Sequence, residues 1–556
     1  MSISLLLLQE AGISRTSYNS VILAIVFALI YIFLPSLIHQ KKYTMPSIIY
    51  RLLHVTLIVP IIVLLTFRVG YLSVYDFTHY AGPVYDVLSG LPPLSSVSYY
   101  GFLGILSLAK IFTFIPLTLL NLHIVFGVFE TLGFLLYYLL SLLLFRSPLY
   151  AFLITLFGVS ANWLTGITPI GSSPQATLFR FGLWIILACT LYQQSQGKKI
   201  RMFIYSFITY MLIVLSVFWA FDSGMYIVIA YVIHGYILSL RTTLSATVTT
   251  FAKCILPIVY SFLFGFILIQ TIYYFIYSTF PNWINFISPS MSFISSPLLI
   301  PFPHGILPWI LLAPPVVYIC FFLTKFCTTS YTACAAKEKT IHFIAWYSII
   351  QFVYFVGRSH PNNLHHIVLP NAICFFALIE QIERGIKHSR PLVKMLINLC
   401  LAFIIAYPMT LLSVQSYSNI RKENFVTSMR TIRTPKGTEL DTFGTTTRLI
   451  QQKYQEFISS DATGILALYD TWYLILLHAK NRVGSNCLLC VHDPLSLKKI
   501  AETIRVNRPK YLFVDIYYSS YIGSYYDQVS KIFPFIQDIY VYRETLGLLD
   551  IYERRK

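Results

Sequence analysis

The chain has 556 residues, of which 56% are hydrophobic and only 11% are charged, against roughly 25% charged in an ordinary soluble domain. No globular core can bury so many uninterrupted apolar runs, so the composition excludes a single soluble domain and predicts a polytopic membrane protein. The net charge of +18 does not indicate nucleic-acid binding, because the basic residues lie in short loops between apolar runs.

The apolar runs predict roughly twelve membrane spans, at 21–38, 52–71, 122–144, 149–165, 181–194, 203–219, 225–240, 253–276, 305–324, 341–356, 367–382 and 394–414. The first run has no small-residue cleavage site after it, so we interpret it as a retained span rather than a signal peptide. Residues 102–120 are also apolar, but Lys110 and Pro116 interrupt them. We expect a helix on the membrane surface there; a span would invert the orientation of everything downstream.

The distribution of basic residues predicts the orientation of the chain. With twelve spans, one set of loops contains 16 Lys and Arg before Gln415 and the other set contains 5. The positive-inside rule makes the first set cytoplasmic. This places the loop around Asp76 and the long C-terminal tail outside the cytoplasm.

The stretch Tyr75–Gly90, YDFTHYAGPVYDVLSG, is unusual because Met1–Val414 contains only 8 Asp or Glu residues. Asp76 follows the second apolar run at the predicted membrane surface. A carboxylate there is a helix cap, a solvated loop residue, or a general base that accepts the proton of a sugar hydroxyl. We interpret Asp76 as the candidate base and place His79 and Tyr80 with it in substrate binding. Asp86 is interpreted as a helix residue, with a functional role left open.

Asp222, in FWAFDSGMY, lies in a very short connection between two apolar runs. Asp-Ser-Gly is typical of a plain turn. A charge between two membrane helices is costly, however, unless it faces a cavity or a partner. We therefore include Asp222 among the candidate binding residues.

A second polar cluster lies in VGRSHPNNLHHIVLP, at a predicted outer helix end. One Arg or His at an interface is usually a headgroup anchor, but several of them with two amides indicate an anion site, since Arg binds phosphate with a bidentate fork. The candidates are Arg358, His360, Asn362 and His365, with Arg180 and His304 as weaker candidates of the same kind. The histidine spacing HxxxxHH does not favour a zinc site. No cofactor is expected to be required.

From about Gln415 the composition changes, and alternating short strands and helices predict a small extracytoplasmic α/β domain. The predicted elements are the strand Gly464–Tyr469, the helices Thr471–Lys480 and Leu495–Val506, the β-rich run Tyr511–Ile516, the helix Tyr521–Phe533, and the strands Ile539–Arg543 and Leu546–Tyr552. No nucleotide fingerprint occurs in the tail. Cys487 and Cys490 form a lone CxxC, which is weak evidence for zinc and leaves a local disulfide open.

The order of a span, an outer loop with a carboxylate, further spans, an Arg/His outer loop and a C-terminal extracytoplasmic domain resembles the GT-C class of integral-membrane glycosyltransferases. YDFTHYAGPVYDVLSG and YFVGRSHPNNL are similar to segments of uncharacterised bacterial members. The resemblance covers most of the membrane region and implies a mainly α, polytopic fold with a catalytic transmembrane domain, 51–414, that includes the outer loop 72–121. An extra N-terminal span and cytoplasmic loop, 1–50, precedes this domain and departs from the class. The predicted α/β tail, 415–556, follows it and is not part of the resemblance.

The resemblance implies that a sugar moves from a polyprenyl-phosphate donor to a hydroxyl of a glycan, lipid or protein acceptor. The reaction would occur on the extracytoplasmic face of the membrane. In a bacterium this membrane would be the inner (cytoplasmic) membrane. Asp76 maps to the acceptor base, and Arg358 with His360 maps to the residues that engage the donor phosphate. The loop contains no DxD motif, so a metal-assisted version is less expected.

Two other functions remain open on the sequence. Twelve spans is a common count for a secondary transporter, although transporters place charges near the bilayer midplane and often show two related halves. Near the midplane the sequence has only Glu130, and no matching halves are evident. A lipid-linked oligosaccharide ligase or polymerase would share the outer Arg/His cluster.

Overall fold

The computed structural model describes residues 56, 58–60, 62–63, 66, 74–96, 101–145, 148–161, 177–196, 199–240, 244–288, 307–328, 335–357, 365–386, 439–467, 470–485, 488, 494–515 and 528–555. The predicted spans 21–38 and 394–414 lie outside these residues, as does the Cys487–Cys490 pair.

Two helices form the described part of the predicted outer loop: α1, Val74–Leu88, and α2, Leu103–Phe112. With 10 residues, α2 is ~15 Å long, about half the thickness of the hydrocarbon layer. The location of this helix on the membrane surface stays a prediction. Gly101, just before α2, has φ +126°, and a Cβ there would lie 1.8 Å from the carbonyl oxygen of Trp219. Only glycine fits this approach.

The helical bundle follows. Its described helices are α3 Leu119–Leu144, α4 Pro148–Ala161, α5 Leu178–Phe181, α6 Leu183–Gln196, α7 Lys199–Trp219, α8 Phe221–Ser239, α9 Leu244–Tyr277, α10 Leu307–Thr328, α11 Ala336–Gly357 and α12 His365–Ile386. Among the described residues, α3, α7, α8 and α9 are long and apolar enough to cross a membrane. The chain is therefore an integral membrane protein. The count of twelve spans stays a prediction, since α4 and α6 have 14 residues each, ~21 Å.

Aromatic side chains fill the core of the bundle and cross-link its helices. The hydroxyl of Tyr137 on α3 donates to the carbonyl oxygen of Leu369 on α12 at 2.7 Å. Trp184 on α6 stacks on Tyr347 on α11, with ring centroids 5.4 Å apart. Hydrogen bonds such as that of Tyr137 hold membrane helices together where no water is present to replace the partner.

A histidine pair joins α8 to α11 in the core. The Nε1–H of Trp346 donates to Nε2 of His342 at 3.0 Å, so this nitrogen carries no proton in the neutral ring. The proton is then on Nδ1 of His342, which lies 2.8 Å from Nδ1 of His234. His342 is the donor of that bond and His234 the acceptor.

The C-terminal unit is a four-stranded sheet with helices. Its elements are α13 Glu439–Ser459, β1 Thr463–Leu466, α14 Asp470–Leu477, α15 Pro494–Asn507, β2 Tyr511–Val514, α16 Gln528–Ile532, a 3₁₀ turn Phe533–Phe535, β3 Tyr540–Leu546 and β4 Leu549–Arg554. The strand order is β1-β2-β4-β3, with β1 parallel to β2 and the other pairs antiparallel. The alternating pattern predicted from the sequence is present.

The C-terminal unit packs directly on α1. Nε1 of Trp472 on α14 donates to the hydroxyl of Thr78 at 2.8 Å, and the hydroxyl of Tyr85 donates to the carbonyl of Ala479 at 3.1 Å. A second contact reaches the end of α9, where Nζ of Lys499 donates to Oδ1 of Asn285 at 2.8 Å. The predicted outer loop is therefore held between the bundle and the C-terminal unit.

Candidate functional site

An ion pair between Arg180 and Asp222 is the centre of the polar cluster on the side of the bundle that packs against α1. Both guanidinium Nε and Nη2 of Arg180 donate to the carboxylate, the former at 3.3 Å. The Arg180 side chain is 1% exposed and that of Asp222 is 12% exposed. Two charges buried to this extent must be held in a fixed geometry, because otherwise the free energy of desolvation exceeds that of their attraction.

The backbone around Arg180 is fixed by three side chains from other helices. The carboxylate of Glu130 on α3 accepts from the backbone N–H of Leu178 at 2.7 Å, at the N-terminus of α5. Trp219 Nε1 donates to the Phe179 carbonyl at 2.6 Å. Ser223 Oγ donates to the carbonyl of Arg180 itself at 2.9 Å. Because α5 has only four residues, these bonds rather than its own length hold it in place.

Asp222 is positioned by the start of α8. It lies in the first turn of that helix, where the helix dipole favours a negative charge, and its Oδ1 accepts from the Ser223 N–H at 2.7 Å. The connection to α7 is tight, since a Cβ on Gly224 would lie 2.4 Å from the carbonyl oxygen of Ser216. The short connection predicted from the sequence is present, and Asp222 is paired with Arg180; its role in substrate binding stays a prediction.

Aromatic rings surround the guanidinium of Arg180. Its carbon lies 4.7 Å from the ring centre of Phe181 and 5.1 Å from that of Tyr354, and Nη1 lies 3.4 Å from the Tyr354 hydroxyl. Cation–π contacts of this kind gain strength when the cation is desolvated. Tyr354 is on the last turn of α11, four residues before Arg358 in the sequence.

Helix α1 reaches the same region through Tyr80. The ring centre of Tyr80 lies 4.7 Å from that of Phe126 and 5.8 Å from that of Phe179, the residue before Arg180. His79 is also buried, at 2% exposure. Asp76 is on α1 one turn before Tyr80; its side chain is outside the described part of the structure.

Asp86 has the contacts expected of a structural residue. It is buried, and its carboxylate accepts from the hydroxyl of Ser96 at 2.6 Å and, more weakly, from the amide of Asn481 at 3.4 Å. The nearby Asp470 is fully buried at the start of α14. Burial raises the pKa of Asp470 to about 8, and the neighbouring charge of Asp86 adds to the increase.

The remaining candidates are not brought into this cluster by the described residues. His304, Arg358, His360 and Asn362 lie outside the described residues, and for His365, the first residue of α12, only the backbone is described. Their roles stay predictions. Within the described ranges, no group of three His, Cys, Asp or Glu side chains is close enough to hold a metal ion.

Three residues of the cluster were missed by sequence reasoning: Glu130, Trp219 and Tyr354. For Glu130 the signal was available, because a buried acid in an apolar run needs a partner. Tyr354 and Trp219 carry no such signal in a chain with 41 Tyr and 7 Trp.

Comparison with known proteins gives similarity in structure only. No family model and no curated protein matches the chain. The archaeal oligosaccharyltransferase AglB from Archaeoglobus fulgidus, in complex with an inhibitory peptide and a dolichol-phosphate, is similar with a TM-score of 0.51 at 12% identity, over 90% of this chain and 74% of that chain. Its apo form gives a TM-score of 0.49 at 13% identity, over 93% and 75%.

ArnT from Cupriavidus metallidurans in the apo state is similar with a TM-score of 0.43 at 8% identity, over 91% of this chain and 98% of that chain. The likeness to AglB in its complex shows a shared fold across most of the chain. This agrees with the GT-C-like architecture predicted from the sequence, at the level of fold.

Proposed function

We propose that this chain is a membrane glycosyltransferase that moves a sugar from a polyprenyl-phosphate donor to an acceptor hydroxyl. The observation that carries the proposal is the meeting of α1, which carries Asp76, with the Arg180–Asp222 pair through the Tyr80–Phe179 contact. This arrangement lies on a fold shared with AglB, whose structure contains a dolichol-phosphate. A lipid-linked phosphate is therefore the donor chemistry that the fold supports best.

In the proposed mechanism Asp76 accepts the proton of the acceptor hydroxyl while that oxygen attacks the anomeric carbon of the donor sugar. The bond between this carbon and the phosphate oxygen breaks, and polyprenyl phosphate leaves. Arg358, with His360, stabilises the charge that develops on the leaving phosphate. The Arg180–Asp222 pair is neutral as a whole, so we assign it to ordering the Tyr354 end of α11 rather than to supplying a free cation.

Replacing Asp76 with Asn tests the base. The purified full chain is assayed for release of polyprenyl phosphate from a panel of radiolabelled short-chain polyprenyl-phosphate hexoses, with total membrane glycolipid as acceptor. Asp76→Asn should abolish release while the unfolding profile is unchanged. Asp86→Asn is the matched control on the same helix and should lower stability rather than turnover. Full activity of Asp76→Asn overturns the assignment.

The same panel separates the rival functions. A secondary transporter releases no polyprenyl phosphate from any donor but shows counterflow of a labelled solute in proteoliposomes. A ligase or polymerase releases the lipid phosphate only when the donor carries an oligosaccharide. Release from single-sugar donors is the result expected here.

A further inference from the structure

The contact of the C-terminal unit with α1 has no part in the proposed reaction as stated. Trp472 Nε1 donates to the hydroxyl of Thr78 at 2.8 Å, and both residues are buried. Thr78 follows Asp76 by two residues on α1. We propose that Trp472 is a positioning residue: through Thr78 it fixes the N-terminal part of α1 and so the location of the Asp76 carboxylate. This inference rests on the proposed role of Asp76.

The C-terminal unit contacts one face of α1. Besides Thr78, this face contains Tyr85, whose hydroxyl donates to the carbonyl of Ala479 at 3.1 Å. Thr78 and Tyr85 are seven residues apart, or about two turns, and so share a face. Asp76 precedes Thr78 by two residues and is therefore about 200° around the helix from it. The C-terminal unit therefore contacts the face of α1 opposite to the position of Asp76.

On the other side α1 packs against the bundle through rings. Phe77 and Tyr80 contact Phe126, with ring centres 6.0 and 4.7 Å apart. Apolar packing of this kind is not directional, so it limits the distance between helices more than their rotation. A hydrogen bond has a preferred distance and angle. The Trp472–Thr78 bond is thus a directional contact near Asp76 that restrains the rotation of α1 relative to the C-terminal unit.

A small rotation is enough to matter for catalysis. A carboxylate ~5 Å from the helix axis moves by ~1.3 Å when the helix turns by ~15°. Misplacement of a reacting group by about 1 Å can cost about 100-fold in rate. Loss of the bond is therefore expected to lower kcat, while the donor, which is bound elsewhere, keeps its KM.

Trp472→Phe and Thr78→Val each remove the bond while preserving a ring or a branched side chain. Each should lower kcat about tenfold or more and leave the donor KM within about twofold, and the double variant should be no worse than either single one. Thr78→Ser retains the acceptor and should restore kcat. Tyr85→Phe is the matched control, because it removes a hydrogen bond of the same interface two turns further from Asp76; its kcat should stay within about twofold.

A measurement without substrate accompanies the kinetics. Amide hydrogen exchange should speed up around residues 77–80 in Trp472→Phe and around 84–88 in Tyr85→Phe. Equal kcat losses in Trp472→Phe and Tyr85→Phe, or additive losses in the double variant, overturn the positioning role. Asp76→Asn is assayed in the same series: if it transfers at the normal rate, the proposed base is wrong whatever the other variants do.

Discussion

The Arg180–Asp222 pair gives the sharpest test of the structure. Asp222→Asn keeps the shape of the side chain and an acceptor for the Ser223 N–H, so it removes the charge alone. At the 3.3 Å between Arg180 Nε and Asp222 Oδ1, the attraction is about 5 kcal/mol for an effective dielectric constant of ~20. Most of this offsets the cost of burying the two charges, but the variant takes the carboxylate charge away from a guanidinium that stays buried. We expect Asp222→Asn to lower the free energy of unfolding by about 3–5 kcal/mol.

A double-mutant cycle with Arg180→Met isolates the pair. Once the guanidinium is gone, Asp222→Asn should cost little, so the coupling energy should be at least about 2 kcal/mol. Unfolding is followed by tryptophan fluorescence during titration of mixed micelles with dodecyl sulfate. A coupling energy below about 0.5 kcal/mol, which is the range of independent sites, would contradict the ion pair that the structure shows.

The same cycle separates a structural from a functional role of the pair. If the pair only stabilises the bundle, the double variant should regain both stability and release of polyprenyl phosphate. If it orders the donor site, as proposed, stability returns and release does not. Donor KM and kcat of the double variant then show which step has been lost.

Three further predictions use the same unfolding titration. The folded-state pKa of Asp470, about 8, lies above the ordinary 3.8, so unfolding releases a proton between these two pH values. The free energy of unfolding should therefore fall as the pH rises from about 4 to about 8. Asp470→Asn should flatten this pH dependence, and an unchanged slope would refute the assignment to Asp470. Gly101→Ala should lower the free energy of unfolding by about 3 kcal/mol or more, because its Cβ would lie 1.8 Å from a backbone oxygen. Gly90 has a positive φ but open space around it, so Gly90→Ala should cost only about 1 kcal/mol. Equal costs would contradict the close approach at Gly101. His342→Phe should cost about 1–3 kcal/mol by leaving His234 without its donor, and the loss should shrink when His234 is also Phe; full additivity would argue against the pair.

Hydrophobic runs predicted the bundle well because a membrane helix must be apolar along its hydrocarbon-facing length. They mark only that length, which is why α9 begins at Leu244 and not at the predicted 253: its first turns contain Ser and Thr, which lower hydropathy without ending a helix. Helix α13, Glu439–Ser459, was not predicted at all. Its Thr-rich first half has low helix propensity, and tertiary packing of Ile450 and Tyr454 against the sheet overrides it.

The site could be predicted residue by residue but not as an arrangement. Arg180 and Asp222 were both identified, for separate reasons, yet nothing in a single sequence shows that residues 42 positions apart form a pair. The contact of Trp472 with Thr78 on α1 has no local sequence signal either, because the two residues are 394 positions apart. Periodicity and charge indicate which side of a membrane a residue occupies, whereas pairing depends on how the helices pack.

The contacts of the other carboxylates support the choice of Asp76 as the proposed base. A carboxylate whose oxygens are already engaged by buried donors or by a cation is less available to approach an acceptor hydroxyl, and a general base must reach the proton it accepts. Of the 8 acidic residues before the tail, five are engaged in this way: Asp86 with Ser96, Glu130 with the Leu178 N–H, Asp222 with Arg180, Glu338 with Lys325 and Glu380 with Lys337. Of the other three, Glu10 is far from the outer loop in sequence and Glu383 is near the predicted cytoplasmic end of α12. We therefore keep Asp76 as the proposed base, on a helix that contacts both the C-terminal unit and the bundle.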